Sequence, residues 1–170
     1  GNGTATVTVT GTLANINTAL NGLVFAPTGN FNGAANLTVT TNDQGNTGSG
    51  GALSDSDAVA ITVNAVNDAP VNTVPGAQTM NEDGTLVFSA ANGNATSVAD
   101  VDAGSSSVQV TLTATNGVLT LAGTSGLTVT GNGTGTATVT SSLTNINTAL
   151  NRLAFAPTGN YNGAANIPVV

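Results

Sequence analysis

Residues Gly1 to Thr40 and Gly131 to Val170 are two copies of one segment, aligned without a gap at an offset of 131 − 1 = 130, with 29 identities in 40 positions. Similarity this dense at that spacing means tandem copies of one unit, and the period is the size of a single domain. With a boundary in the stretch Asn67-Asp68-Ala69-Pro70, residues 1–68 hold the C-terminal part of one repeat and residues 69–170 the N-terminal part of the next. The second copy then lacks counterparts of residues 41–64, and the chain reads as a window on a longer array. Protomers that complete one another head to tail are disfavoured at this level, because such a pair would hold the forty duplicated residues twice.

The boundary has a physical signature. Val59, Ile61 and Val63 alternate with Ala60, Thr62 and Asn64, the period of a half-buried strand. The alternation stops at Pro70, which has no amide for a ladder and biases Ala69 toward an extended conformation. A strand therefore runs into a short, stiff, acidic hinge.

The rest of the chain reads as short strands and turns. Strands are expected at Thr4 to Thr10, with Ala5, Val7 and Val9 inward, and at Leu23 to Phe25, from Leu37, at Val71 to Pro75, Leu86 to Phe88, Val108 to Ala114, Val118 to Leu121, Leu127 to Thr130 and Thr136 to Thr140. Leu13, Ile16 and Leu20 fall at helical spacing, with Thr12 to cap the start and Gly22 to close the end. The second copy of this helix is expected at Leu143 to Asn151, with Arg152 in the place of Gly22, a less comfortable residue for a left-handed ending. Asn116-Gly117 has the composition of a tight hairpin turn. Phe25 and Phe31 read as core plugs rather than ligand platforms. Many alternating strands with one small helix per repeat predict an all-β fold of β-sandwich type.

Composition narrows the function. Charged residues make up 5% of the chain, the net charge is −7, and Arg152 is the sole base. Binding to a duplex or an anionic bilayer surface needs several Lys or Arg, so no nucleic acid and no membrane partner is expected. No apolar run approaches the roughly 18 residues of a membrane span, and no stretch reads as a signal peptide. Without Cys there are no disulfides and no thiolate metal sites, which fits a secreted bacterial protein at least as well as a cytosolic one. Without His, Cys or Lys there is no Ser-His-Asp or Cys-His arrangement, and a non-enzymatic role is expected.

The remaining chemistry lies in eight acids: Asp43, Asp55, Asp57, Asp68, Glu82, Asp83, Asp100 and Asp102. All are expected outside the strands, in Gly/Asn/Ser loops or at the hinge. Asp favours such turns in any protein. Clustered carboxylates with almost no basic partner nevertheless repel one another unless a cation neutralises them. Hard oxygen donors at one-residue spacing in flexible loops suit Ca²⁺.

Leu37-Thr-Val-Thr-Thr-Asn-Asp-Gln-Gly45, Leu53-Ser-Asp-Ser-Asp-Ala-Val-Ala-Ile-Thr-Val63 and Val66-Asn-Asp-Ala-Pro70 resemble the C-terminal half and linker of a cadherin-type domain. Phe25-Ala-Pro-Thr-Gly-Asn-Phe-Asn-Gly33 resembles the bacterial cadherin-like tandem repeats of giant extracellular and biofilm adhesins. The resemblance covers both copies and implies tandem cadherin-like, Ig-like Greek-key β-sandwiches with Ca²⁺ at the joints. It implies Asp68 as the linker ligand with backbone carbonyls near Asn67, Asp100 and Asp102 as the pair facing that linker, and Asp43 as the acid at the top of its own domain. Glu82 would serve the joint at the far end of its domain. No acid stands where animal cadherins carry their Asp-Arg-Glu motif, so a full three-ion cluster is not implied.

The resulting expectation is an extracellular module of the bacterial cell surface, a link in an adhesin stalk or fibre whose partners are neighbouring repeats of the same chain. A self-associating filament or sheath subunit is the second class, since strand faces with few charges can pack laterally. Ligand binding, to carbohydrate or ice, by outward Thr rows such as Thr4, Thr6, Thr8 and Thr10 is the third, although Thr is an ordinary outward strand residue.

Overall fold

The structure, a computed structural model, describes residues 3–170. It is mostly β-sheet with two short helices, and its contacts divide it into two units between Val66 and Asn67.

The first unit contains helix α1 (Leu13–Leu20) and strands β1 (Gly33–Asn42) and β2 (Ser54–Val63). Thr12 caps α1, its hydroxyl accepting the Asn15 N–H at 3.4 Å, and the chain leaves the helix through Gly22 at φ +92°. β1 and β2 form an antiparallel hairpin in register from Gly33 opposite Val63 to Asn42 opposite Ser54. One face of this hairpin collects Ala35, Leu37 and Val39 with Val59, Ile61 and Val63. β2 starts earlier than its hydrophobic alternation indicates and takes in Asp55 and Asp57, opposite Thr41 and Val39, so these two acids are strand residues and not loop residues.

The second unit carries β3 (Val71–Thr73), β4 (Leu86–Phe88), β5 (Ser97–Ala99), β6 (Ser107–Thr113), β7 (Gly117–Thr120), β8 (Thr128–Thr130), β9 (Thr136–Ser142), helix α2 (Leu143–Leu150) and β10 (Leu153–Pro157). Its antiparallel sheets run β4-β10-β7, β6-β9-β8 and β3-β5. Val110, Leu112 and Val139 from one sheet meet Phe88, Leu119, Leu153 and Phe155 from another, and Ile146 and Leu150 of α2 join the same buried cluster. This arrangement is consistent with a β-sandwich. Each such side chain contributes about 1.5–3 kcal/mol by leaving water. Beyond β10, residues 166–170 lie antiparallel along the free edge of β6: Thr111 exchanges both backbone bonds with Val170, at 2.6 and 2.9 Å, and the Thr113 and Thr115 amides donate to the Pro168 and Asn166 carbonyls.

Further expectations are corrected. Phe25 and Phe31, read as core plugs, stay exposed in the first unit. Thr4 to Thr10 and Leu23 to Phe25 form no strand, although their copies are β9 and β10. A strand needs neighbours: β9 is held between β6 and β8, and β10 between β4 and β7, and the first unit has no counterparts of those segments. Val7 and Val9 stay exposed accordingly, and the Thr row proposed as a ligand surface is not assembled there. Asn116-Gly117 closes no hairpin, because β6 and β7 belong to different sheets. Asn116, at φ +58°, turns the chain from one sheet to the other and its amide donates to Tyr161 Oη and the Ala164 carbonyl. Gly117 has no positive φ; it is small because a Cβ there would collide with the Phe155 ring.

Arg152 occupies the left-handed position that Gly22 fills in the first copy, at φ +116°, and its N–H donates to the Phe88 carbonyl at 2.8 Å. A side chain in that region costs about 1–2 kcal/mol, partly offset by the extra unfolded-state freedom of Gly. Arg152→Gly is expected to stabilise the second unit by about 1 kcal/mol, read as a rise in urea midpoint at constant m-value. An unchanged or lower midpoint would show that the arginine is not strained.

Candidate cation site at the hinge

The hinge enters the second unit directly ahead of β3, and the loop with Asp100 and Asp102 follows directly after β5. Because β3 pairs with β5, Val71 opposite Ala99, hinge and loop are brought side by side. Asp100 shapes the loop: its Oδ1 accepts the N–H groups of Asp102 at 2.9 Å and Ala103 at 3.0 Å. Asp102 then reaches across, and its Oδ2 accepts the Asp68 N–H at 2.5 Å. The Asn67 amide donates to the Asp68 carbonyl at 3.2 Å.

Asp68, Asp100 and Asp102 thus occupy one corner, with Asp100 half-buried and the other two exposed. The bonds described leave one oxygen each of Asp100 and Asp102, and the Asp68 carboxylate, outside them. These donors have the hard-oxygen chemistry that Ca²⁺ takes. Among the described residues, however, no three acidic side chains stand close enough together to hold a metal ion. The hinge–loop contact is a protein hydrogen bond from the Asp68 backbone to the Asp102 carboxylate.

The other two expected ligands lie elsewhere. Glu82 sits in the Asn81–Gly84 turn at the rim of a cleft, beside Asp83, whose Oδ1 accepts the Asn160 N–H at 2.8 Å. Asp43 belongs to the first unit and closes the loop between β1 and β2. Its Oδ1 accepts the N–H groups of Leu53 at 2.8 Å and Gly45 at 2.9 Å. The Leu53 bond first, and the Gly45 bond second, hold its carboxyl below the usual carboxylate range, with desolvation opposing weakly.

A carboxylate with a depressed folded pKa adds stability that is present above its unfolded value, near 3.9, and lost as pH falls through the folded one. The Gly45 and Leu53 amides are accordingly expected to keep their NMR shifts on acidification to the unfolded value and to move together below it. In Asp43→Asn, shifts insensitive to this pH window are expected; the same acid transition in that variant would assign it to another group.

Sequence reasoning overlooked two positioning groups. One is the Asp68 backbone N–H, which no residue pattern reveals because its partner is 34 positions away and arrives through strand pairing. The other is Asn147 on α2, whose amide accepts from the Val98 N–H and donates to the Val98 carbonyl, at 2.9 and 2.8 Å, and so fixes β5 ahead of the loop. Comparison with protein-family models, curated proteins and solved structures gives no match to this chain.

Proposed function

We propose that this chain is a non-enzymatic structural module of an extracellular adhesin stalk or fibre, built from tandem cadherin-like Greek-key repeats, in which Ca²⁺ at the hinge stiffens the joint between successive repeats. The observation that carries the reading is the Asp102 carboxylate on the Asp68 N–H, which ties the start of the second unit to its Asp100–Asp102 loop. The 130-residue period supports an array, and the chain has a single base, Arg152, against its eight acids.

Mechanistically, Asp100 presets the loop and Asp102 orients the linker. Asp68, the exposed oxygens of the pair and carbonyls near Asn67 would hold the ion, whose contribution is to screen repulsion between the carboxylates and to link linker to loop. Extracellular Ca²⁺ modules bind at roughly 10⁻⁴ to 10⁻³ M, so the joint would stiffen outside a cell and soften under chelation. Asp43 and Glu82 would serve joints at other ends of their repeats.

The proposal is tested by melting the chain in millimolar Ca²⁺ and in chelator. Saturating a single site at tenfold its dissociation constant adds about 1.4 kcal/mol, a rise of several degrees for a domain of this size. Asp100→Asn with Asp102→Asn is expected to abolish that rise. A melting temperature indifferent to Ca²⁺ in the unaltered chain would rule the joint out as a cation site.

A further inference from the structure

In the second unit Asn is followed by Gly at positions 92, 116, 132 and 162. The glycine nitrogen of such a pair carries no neighbouring side chain to block its approach to the asparagine Cγ, so ring closure is open unless the fold holds one of the two groups. The fold holds three of these pairs. Gly93 donates its N–H to the Ala90 carbonyl at 3.1 Å, and the Asn92 amide donates to the Val87 carbonyl at 3.0 Å. The Asn116 amide donates to Tyr161 Oη and the Ala164 carbonyl, and Gly117 begins β7 against the Phe155 ring. Asn132 Oδ1 accepts the Leu121 N–H at 2.8 Å, while Gly133 donates its own N–H to the Leu119 carbonyl at 2.8 Å. The fourth pair differs. Asn162 and Gly163 are both exposed, and neither the Asn162 amide nor the Gly163 N–H has a hydrogen-bond partner among the described residues. They form the tip of a loop pinned on both sides: the Tyr161 N–H donates to the Thr158 carbonyl at 2.9 Å and the Tyr161 hydroxyl to the Ala164 carbonyl at 2.8 Å.

We propose that Asn162–Gly163 is a self-modification site, at which the chain converts asparagine to aspartate and isoaspartate with water as the only co-reactant. The Gly163 nitrogen bonds to Asn162 Cγ, the Cγ–Nδ2 bond breaks, and the nitrogen's proton leaves with the amide as ammonia. Water then opens the resulting succinimide. Attack at Cγ restores the ordinary peptide bond and leaves aspartate; attack at the main-chain carbonyl leaves isoaspartate, with the peptide bond now made through Cγ. Either product adds a carboxylate to a chain whose net charge is −7. The isoaspartate also adds one main-chain atom between Tyr161 and Ala164, the two residues whose hydrogen bond closes the loop. At Asn132 the same chemistry is held back, because both the electrophilic amide and the attacking nitrogen are engaged by the backbone of the β7 end. The inference is independent of any cation and of the role proposed for the chain.

The test is to hold the folded 170-residue chain at mildly alkaline pH and follow amide loss at each Asn-Gly pair by peptide mapping, with isoaspartate scored in the same peptides. Asn162 is expected to react about thirtyfold faster than Asn132, since the latter must first open two hydrogen bonds of about 1 kcal/mol each. The peptide holding Asn162 should yield both aspartate and isoaspartate, the mark of a succinimide. In urea that unfolds the chain the two rates should converge, because the protection of Asn132 comes from the fold. Equal rates in the folded chain would overturn the proposal. A difference that persists undiminished in urea would equally overturn it, by placing the cause in the flanking residues, and so would aspartate at position 162 without isoaspartate, which would exclude the imide.

Discussion

Leu150→Ala is expected to destabilise the second unit by about 2–5 kcal/mol, while Leu20→Ala, the same substitution at the same place in the repeat, should change stability by under about 1 kcal/mol. The two leucines end helices of nearly identical sequence, yet Leu150 is 0% exposed against the core and Leu20 is 39% exposed. Removing Leu150 leaves a cavity among Ile146, Leu112 and their neighbours in the core, and a close-packed interior closes over such a gap only in part. Removing Leu20 takes away surface that water already reaches. Urea unfolding of both variants measures the contrast. Equal losses would mean that the first unit has a core as complete as the second, against the exposure of Val7, Val9, Leu13 and Leu20.

Gly117→Ala is expected to cost about 2–4 kcal/mol, near the top of the range for overpacking. An added Cβ would meet the Phe155 ring and the Ala156 carbonyl, and Phe155 is itself buried and paired opposite Leu119. The ring cannot move without opening the β10–β7 ladder. A tight hairpin turn at this position would tolerate alanine far better at Gly117 than at a left-handed glycine. A loss below about 0.5 kcal/mol would restore the hairpin reading and contradict the sheet-to-sheet crossing.

Much of the fold was legible from alternation alone. β6 and β9 turn Val110, Leu112, Ala137 and Val139 inward, as their spacing predicts, and both helices lie where Leu, Ile and Leu recur at helical intervals. What failed was long-range pairing. Thr4 to Thr10 has a cleaner alternation than Thr136 to Thr140, yet only the second is a strand, because alternation describes a strand's faces and not its hydrogen-bonding neighbours. Asn116-Gly117 misled for the same reason: a turn signal gives the local dihedral and not the sheet in which the next strand lands. Of the six acids and amides singled out, Asp68, Asn67, Asp100 and Asp102 meet at one corner of the second unit through the β3–β5 pairing, Glu82 lies in a separate turn of that unit, and Asp43 belongs to the first unit. Asp43, marked as a ligand, also holds a loop, with its carboxyl kept below the usual range by two backbone N–H groups.

The proposed joint is tested most directly by residue-resolved NMR during a Ca²⁺ titration of the whole chain. The account predicts saturable shifts confined to Asn67, Asp68 and Asp100 to Gly104, with a midpoint on the order of 10⁻⁴ to 10⁻³ M, and their loss in Asp100→Asn with Asp102→Asn. Shifts spread evenly over all eight acids without saturation, or none at the hinge, would contradict it.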